Sequence, residues 1–316
     1  MKFNPVDKSI TRIAPDFADD LMKWSKGTMP DNGVIYCPSV TYRGILKIDT
    51  KTDTVTDLDF NLLPERGFCN WMSCAAAPDG CIYFMPFRAR RIMKLDPTNN
   101  EAISSVGVDL GDGLKYRGTV VGIDGCVYGI PYVTKRIVKY DPINDITSFV
   151  GEETNEVFGC CGDGILGRDG CIYAFAENGR ILKIDATNNV HSFVGNSIES
   201  NHHHEGWGDA ILGIDGCIYS PPRNADLILK YDHHSNLTSL VGDNFGWHGS
   251  RWNSGALEAD GVIYCIPSSA YQILAIDPLG EFSLVTKTNM KEHPEELGFL
   301  FRINDTDTTS NRTSFD

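Results

Sequence analysis

Apolar and polar positions along this chain change over in short runs, and no segment inside the recurring unit keeps the 3.6-residue apolar period of a helix. The runs are β-prone and are separated by turn dipeptides. One phrase stands out: Asp/Asn-Gly, then Cys or a small apolar residue, then Ile/Val-Tyr. Its tyrosines are Tyr36, Tyr83, Tyr128, Tyr173, Tyr219 and Tyr264, spaced 47, 45, 45, 46 and 45 residues apart. About a dozen residues later comes Ile-x-Lys-(Ile/Leu/Tyr)-Asp or a variant of it, with aspartates Asp49, Asp96, Asp141, Asp185, Asp232 and Asp277. A further run ends in Val-Gly at Val106-Gly107, Val150-Gly151, Val194-Gly195 and Val241-Gly242.

Each unit therefore reads as four short antiparallel strands. The first runs into Asp-Gly, a dipeptide suited to a two-residue type I′ hairpin. The second carries the repeated tyrosine. The third ends in aspartate before a type I turn, and the fourth runs into Val-Gly. Four strands in some 45 residues make one propeller blade. The fold expected is all-β, a single propeller of six four-stranded blades, with repeats at about 22–60, 70–107, 115–151, 160–195, 206–242 and 251–286. A seventh blade built from both termini is the alternative. Residues 1–21 are expected to close the ring as a clasp, with Asn4–Ile13 resembling the end of a unit; Phe299–Ile303 offers one more strand, and 304–316 reads as a loose tail.

Charge narrows the partners. Lys and Arg number 28 against 42 Asp and Glu, a net charge of -14, which argues against nucleic acid or an anionic membrane. No apolar run is long enough to span a bilayer, and the opening Met-Lys-Phe-Asn-Pro-Val-Asp lacks the core of a signal peptide. A cytoplasmic location is expected. The ten cysteines agree with it: Cys81, Cys126, Cys171 and Cys217 alternate with Val34 and Val262 at one repeat position, as small buried apolar residues do. Neither Cys69 with Cys74 nor Cys160 with Cys161 has zinc-ligand spacing with a matching second half.

Eight residues before each Asp/Asn-Gly, at the start of the innermost strand, stand Trp24, Trp71, Tyr116, Cys161, Trp207 and Trp252. Such a ring either packs between blades or forms an aromatic platform at one mouth of the axis, where planar rings, sugars or cations bind. With Arg117 and Arg251 beside them, Trp24, Trp71, Tyr116, Trp207 and Trp252 are the candidate ligand-binding residues. Two residues further on come Lys26, Ser73, Gly118, Asp163, Asp209 and Ser254, a set able to line the throat below. Asp163 and Asp209, with Glu205 and His248 from neighbouring loops, are the candidate ligands of a divalent metal in the central channel, the one cofactor this pattern suggests. His202-His203-His204 reads better as a solvated loop, and His233-His234 lies at an outer turn with no assigned role. No nucleophile elbow, phosphate-binding glycine loop or His-Glu-x-x-His motif is present.

The blade phrase Asp-Gly-x-Ile-Tyr followed by Ile-x-Lys-Ile-Asp-Pro resembles the blades of the propeller group holding NHL-repeat proteins, virginiamycin B lyase and the SMP-30/gluconolactonase family. The resemblance covers nearly the whole chain and implies the fold. It also implies a comparison with enzymes of that group that hold a divalent metal in the channel with acidic and amide side chains. Asp163, Asp209, Asn70 and Asn253 lie near that level, but no family metal motif aligns with them. Two functions follow as expectations. One is a non-enzymatic binding propeller for a small molecule, glycan or protein segment at an aromatic-lined mouth. The other is a metal-dependent lactonase- or lyase-like enzyme. The recurrence of the aromatics favours binding.

Overall fold

A computed structural model describes residues 2–4, 6–7, 9–11, 13, 24–40, 44–58, 68–155, 157–160, 162–176, 179–196, 198, 206–246, 251–270, 272–280 and 282–285. The chain forms a six-bladed β-propeller, and no helix occurs among the described residues. Blade 3 shows the plan: Tyr116–Val121 lies innermost, then Val127–Pro131, Ile137–Asp141 and Ile146–Val150, each antiparallel to its neighbour. Blades 2, 4, 5 and 6 repeat it. In blade 1 the strands Val34–Pro38, Ile45–Asp49 and Thr54–Leu58 form the sheet. Its innermost run joins through the bridges Trp24–Ser39 and Thr28–Tyr36.

The repeated phrases have a shared chemistry. In blades 2 to 5 the tyrosine hydroxyl donates to the aspartate four residues before it, at 2.7–2.9 Å for Tyr83–Asp79, Tyr128–Asp124, Tyr173–Asp169 and Tyr219–Asp215. The lysine of the third strand reaches the same carboxylate: Lys94, Lys139, Lys183 and Lys230. Blade 1 has Asn32 in place of the acid, and Glu101 of blade 2 supplies the carboxylate to Tyr36 and Lys47 instead. The aspartate ending the third strand accepts backbone N–H groups of the next turn, as Asp96 does from Thr98 and Asn99.

The first turn differs from the expected type I′ hairpin. Gly80 donates to the Ala77 carbonyl and Ala77 to that of Cys81, and of Asp79 and Gly80 only the glycine has positive φ (+81°). That is a type I turn closed by a glycine bulge. The aspartate's ordinary φ goes with a carboxylate that caps Cys81 N–H and meets the Tyr83 hydroxyl.

Between blades lie the apolar clusters. One joins Tyr36 and Ile45 of blade 1 to Trp71, Ile82 and Phe84 of blade 2, and each later seam repeats it. Blades 6 and 1 are bridged differently. The hairpin Lys2–Phe3 with Ile10–Thr11 sets Phe3 5.1 Å from the ring of Tyr264, while Lys2 pairs with Asp53 of blade 1 at 2.9 Å. It clasps the ring without adding a strand to either sheet. Residues 299–316 and much of 1–21 lie outside the described residues.

Candidate functional site at the propeller axis

The aromatic ring occupies the seams. Trp71, Tyr116, Trp207 and Trp252 are 3–4% exposed, and each sits in the cluster shared with the preceding blade. Each indole N–H also donates to a carbonyl twenty residues on, at the lead into its own blade's third strand: Trp71 to Arg91, Trp207 to Leu227 and Trp252 to Gln272. These rings pack blade on blade, which corrects the expectation of a mouth-facing platform. The faces of an innermost strand look at neighbouring blades, and only its edge looks at the axis. Trp24 is half-buried. In blade 4 the ring position belongs to Cys160, which bridges Ala176 as Trp71 bridges Pro86. Cys161, like Glu205, His248 and the 202–204 histidines, lies outside the described residues.

Arg251 is also spoken for. It is buried, its guanidinium donates to the Phe245 and Ala225 carbonyls, and it stacks over Trp252 at 5.4 Å. It acts as a strut under the blade 5–6 link.

Of the throat set, by contrast, Lys26, Ser73, Asp163 and Asp209 do converge, joined by Thr119 and Asn253 in place of their neighbours Gly118 and Ser254. The Lys26 ammonium lies 3.2 Å from Asp163 and 4.0 Å from Asp209. Ser73 donates to Asp163 at 2.7 Å. The Thr119 N–H meets the other Asp163 oxygen at 2.8 Å and Ser73 Oγ at 3.1 Å. Asp163 N–H donates to Asp209, and Asp209 N–H to the Asn253 carbonyl. Every blade contributes one member. The strands are crowded here: a Cβ on Gly118 would collide with Asp163, and one on Gly208 with the Asn253 backbone.

Burial works against the Lys26 charge, but Asp163 and Asp209 outweigh it and hold its pKa above the ordinary lysine value. Burial raises the Asp163 pKa, Lys26 opposes that, and the neighbouring Asp209 adds to it. Lys26 keeps 34% of its side chain exposed against 4% for Asp163, so the lysine is the more open partner over a dry floor. Among the described residues no group of three His, Cys, Asp or Glu side chains is placed to hold a metal.

Above this floor the second-to-third-strand loops of blades 2 and 3 and the start of blade 3's innermost strand bring together residues that no repeat position marks. Arg117 stands at the β-bulge between Tyr116 and Gly118, with its guanidinium 5.5 Å from the Tyr132 ring. Tyr132 stacks obliquely with Phe87 at 6.0 Å, and Arg88 beside Phe87 is exposed. Burial raises the pKa of the Cys69 thiol beneath, and the charges of Arg88 and Arg117 partly offset this, so both arginines converge there. The Asn70 carbonyl anchors the loop by accepting from Phe87 and Arg88. Of this group only Arg117 was singled out as a ligand contact by sequence. The others occupy positions that differ from blade to blade, where repetition gives no signal.

No protein-family model matches the chain, and no curated protein matches it. Solved structures do. Virginiamycin B lyase from Staphylococcus aureus is similar at a TM-score of 0.68 and 15% identity, over 85% of this chain and 86% of that one. Hydrazine synthase of Kuenenia stuttgartiensis is similar at 0.63 and 15%, over 82% and 78%. The extracellular domain of a one-component system of B. thetaiotaomicron is similar at 0.60 and 11%, over 82% of this chain and 33% of that chain. The chain shares their propeller fold. The blade phrases that resemble virginiamycin B lyase are matched by a like architecture, and at these identities the likeness concerns the fold alone.

Proposed function

We propose that this protein is a non-enzymatic binding propeller that receives a small molecule, glycan or protein segment at the mouth of its axis. The contact surface is Arg117, Arg88, Tyr132 and Phe87, in place of the indole ring. One observation carries the choice over a metal-dependent enzyme: the cation between Asp163 and Asp209 is the protein's own Lys26. The acids of the throat already share one cation from within, which leaves the mouth to recognise by stacking and charge. Anionic or planar groups suit it best. The reading includes a cytoplasmic setting, supported by nine described cysteines that are all free thiols.

The test is a thermal-shift and calorimetric screen with free sugars, oligosaccharides and acidic peptides, run on the parent protein and on Tyr132→Ala and Arg117→Ala. A hit weakened about tenfold or more by either substitution, at an unchanged melting temperature, supports the reading, since an aromatic or arginine anchor contributes about 2 kcal/mol. Hits indifferent to both substitutions oppose it. So does a melting temperature raised by calcium, magnesium, manganese or zinc and lowered again by chelator, if Asp163→Asn abolishes the response. That outcome moves the protein to the lactonase- or lyase-like reading.

A further inference from the structure

We propose that a cleft beside blade 3, lined by none of the four residues assigned to the axial mouth, is a second binding site, for a small carboxylate carried on an apolar or aromatic body. The cleft encloses about 640 Å³ between the link 107–115 and blade 3, within the roughly 300–1,000 Å³ of small-molecule sites. Its apolar walls are Val108 on the link and Val133 on the blade, 48% and 49% exposed, large apolar side chains turned towards water.

The link is a built wall rather than a loose loop. Arg90 reaches across from blade 2 to bond Asp109 at 2.9 Å and Asp112 at 2.7 Å. Asp109 accepts the Gly111 N–H at 2.8 Å, and Lys115 donates back to the Gly111 and Gly113 carbonyls at 2.8 and 3.0 Å. A wall fixed beforehand spares the ligand the cost of ordering it.

Charge selects the ligand. Both acids at the cleft, Asp109 and Asp112, are already bonded to Arg90. Arg136 lies flat on Phe149, 3.7 Å from the ring centroid, and makes no ion pair with any described residue. Stacking fixes its plane, and a guanidinium held that way receives a carboxylate through paired hydrogen bonds. The ligand's apolar body would then cover Val108 and Val133.

The experiment uses the full chain and three probes: 3-phenylpropanoate, its primary amide, and 3-phenylpropylamine, titrated by calorimetry and by ligand-observed NMR. The carboxylate is expected to bind saturably and about tenfold more tightly than the amide, with the amine weakest, as a charge-assisted pair to arginine requires. Arg136→Gln should remove the preference for the carboxylate, and Val133→Trp should weaken all binding by filling the cleft. Both positions are exposed, so the melting temperature should hold. Absence of saturable binding by any probe overturns the proposal. So does equal affinity for carboxylate and amide, or a preference that survives Arg136→Gln.

Discussion

The tryptophans show how a residue's identity and its direction are set by different things. Four indoles at one repeat position were legible because the position recurs. Their direction was not, because it depends on a β-bulge: Tyr116 pairs with Pro131 and Gly118 with Ile130, so residues two apart fall on opposite faces. The same slip separates Trp252 from Ser254. Sequence register placed both on one axial surface, and the bulge sends the aromatic into the seam. Replacing Trp207 or Trp252 by Ala should therefore cost about 3–5 kcal/mol in urea unfolding, as buried aromatics do. A loss below about 1 kcal/mol at either site would mean the ring is not seam packing. Lys26→Met is a companion case. It strips the counter-charge from two acids at the axis and should destabilise by about 3–5 kcal/mol, with Asp163→Asn in the same chain recovering part of the loss.

At the level of the blade, the tyrosine, aspartate and lysine act as one device joining the first turn to the second and third strands. Sequence showed all three as fixed positions. It gave no sign that blade 1 borrows Glu101 from its neighbour, since that acid sits in an outer turn of another repeat. The device makes a pH prediction. Burial would raise the Asp169 pKa, but the hydrogen bonds from Tyr173 and Lys183 outweigh it and bring it down to about 2. Asp124 and Asp215 are shifted down by matching contacts. A carboxyl group with a lowered folded pKa stabilises fully above its unfolded value, near 3.8, and loses that contribution as pH falls from there towards 2. Acid unfolding followed by circular dichroism should accordingly fall in that window. Tyr173→Phe should move the midpoint to higher pH, and an unchanged midpoint would show that the tyrosine does not hold the carboxylate.

For the whole ring, the six repeats predicted the architecture, and the N-terminal stretch was legible as a clasp but not as a separate hairpin. Its hold is the contact of Phe3 with Tyr264 and the Lys2–Asp53 pair, a short reach across the one seam the chain does not close by continuity. Phe3→Ala should lower stability by about 1 kcal/mol through lost apolar burial. Hydrogen exchange should quicken first in blades 6 and 1, where the ring would part. Uniform quickening around all six blades would assign the hairpin no special place.

Asp163 belongs to the fourth blade, yet its carboxylate is satisfied by groups from the first, second and third, and its backbone hands the chain of bonds on to the fifth and sixth. Repeat proteins commonly fold by adding units one at a time, each content with its neighbours. Here an incomplete or miscounted ring would strand a carboxylate in a dry centre with its partners missing. The axis thus works as a tally: with five blades or seven, its chain of bonds would not close as it does here.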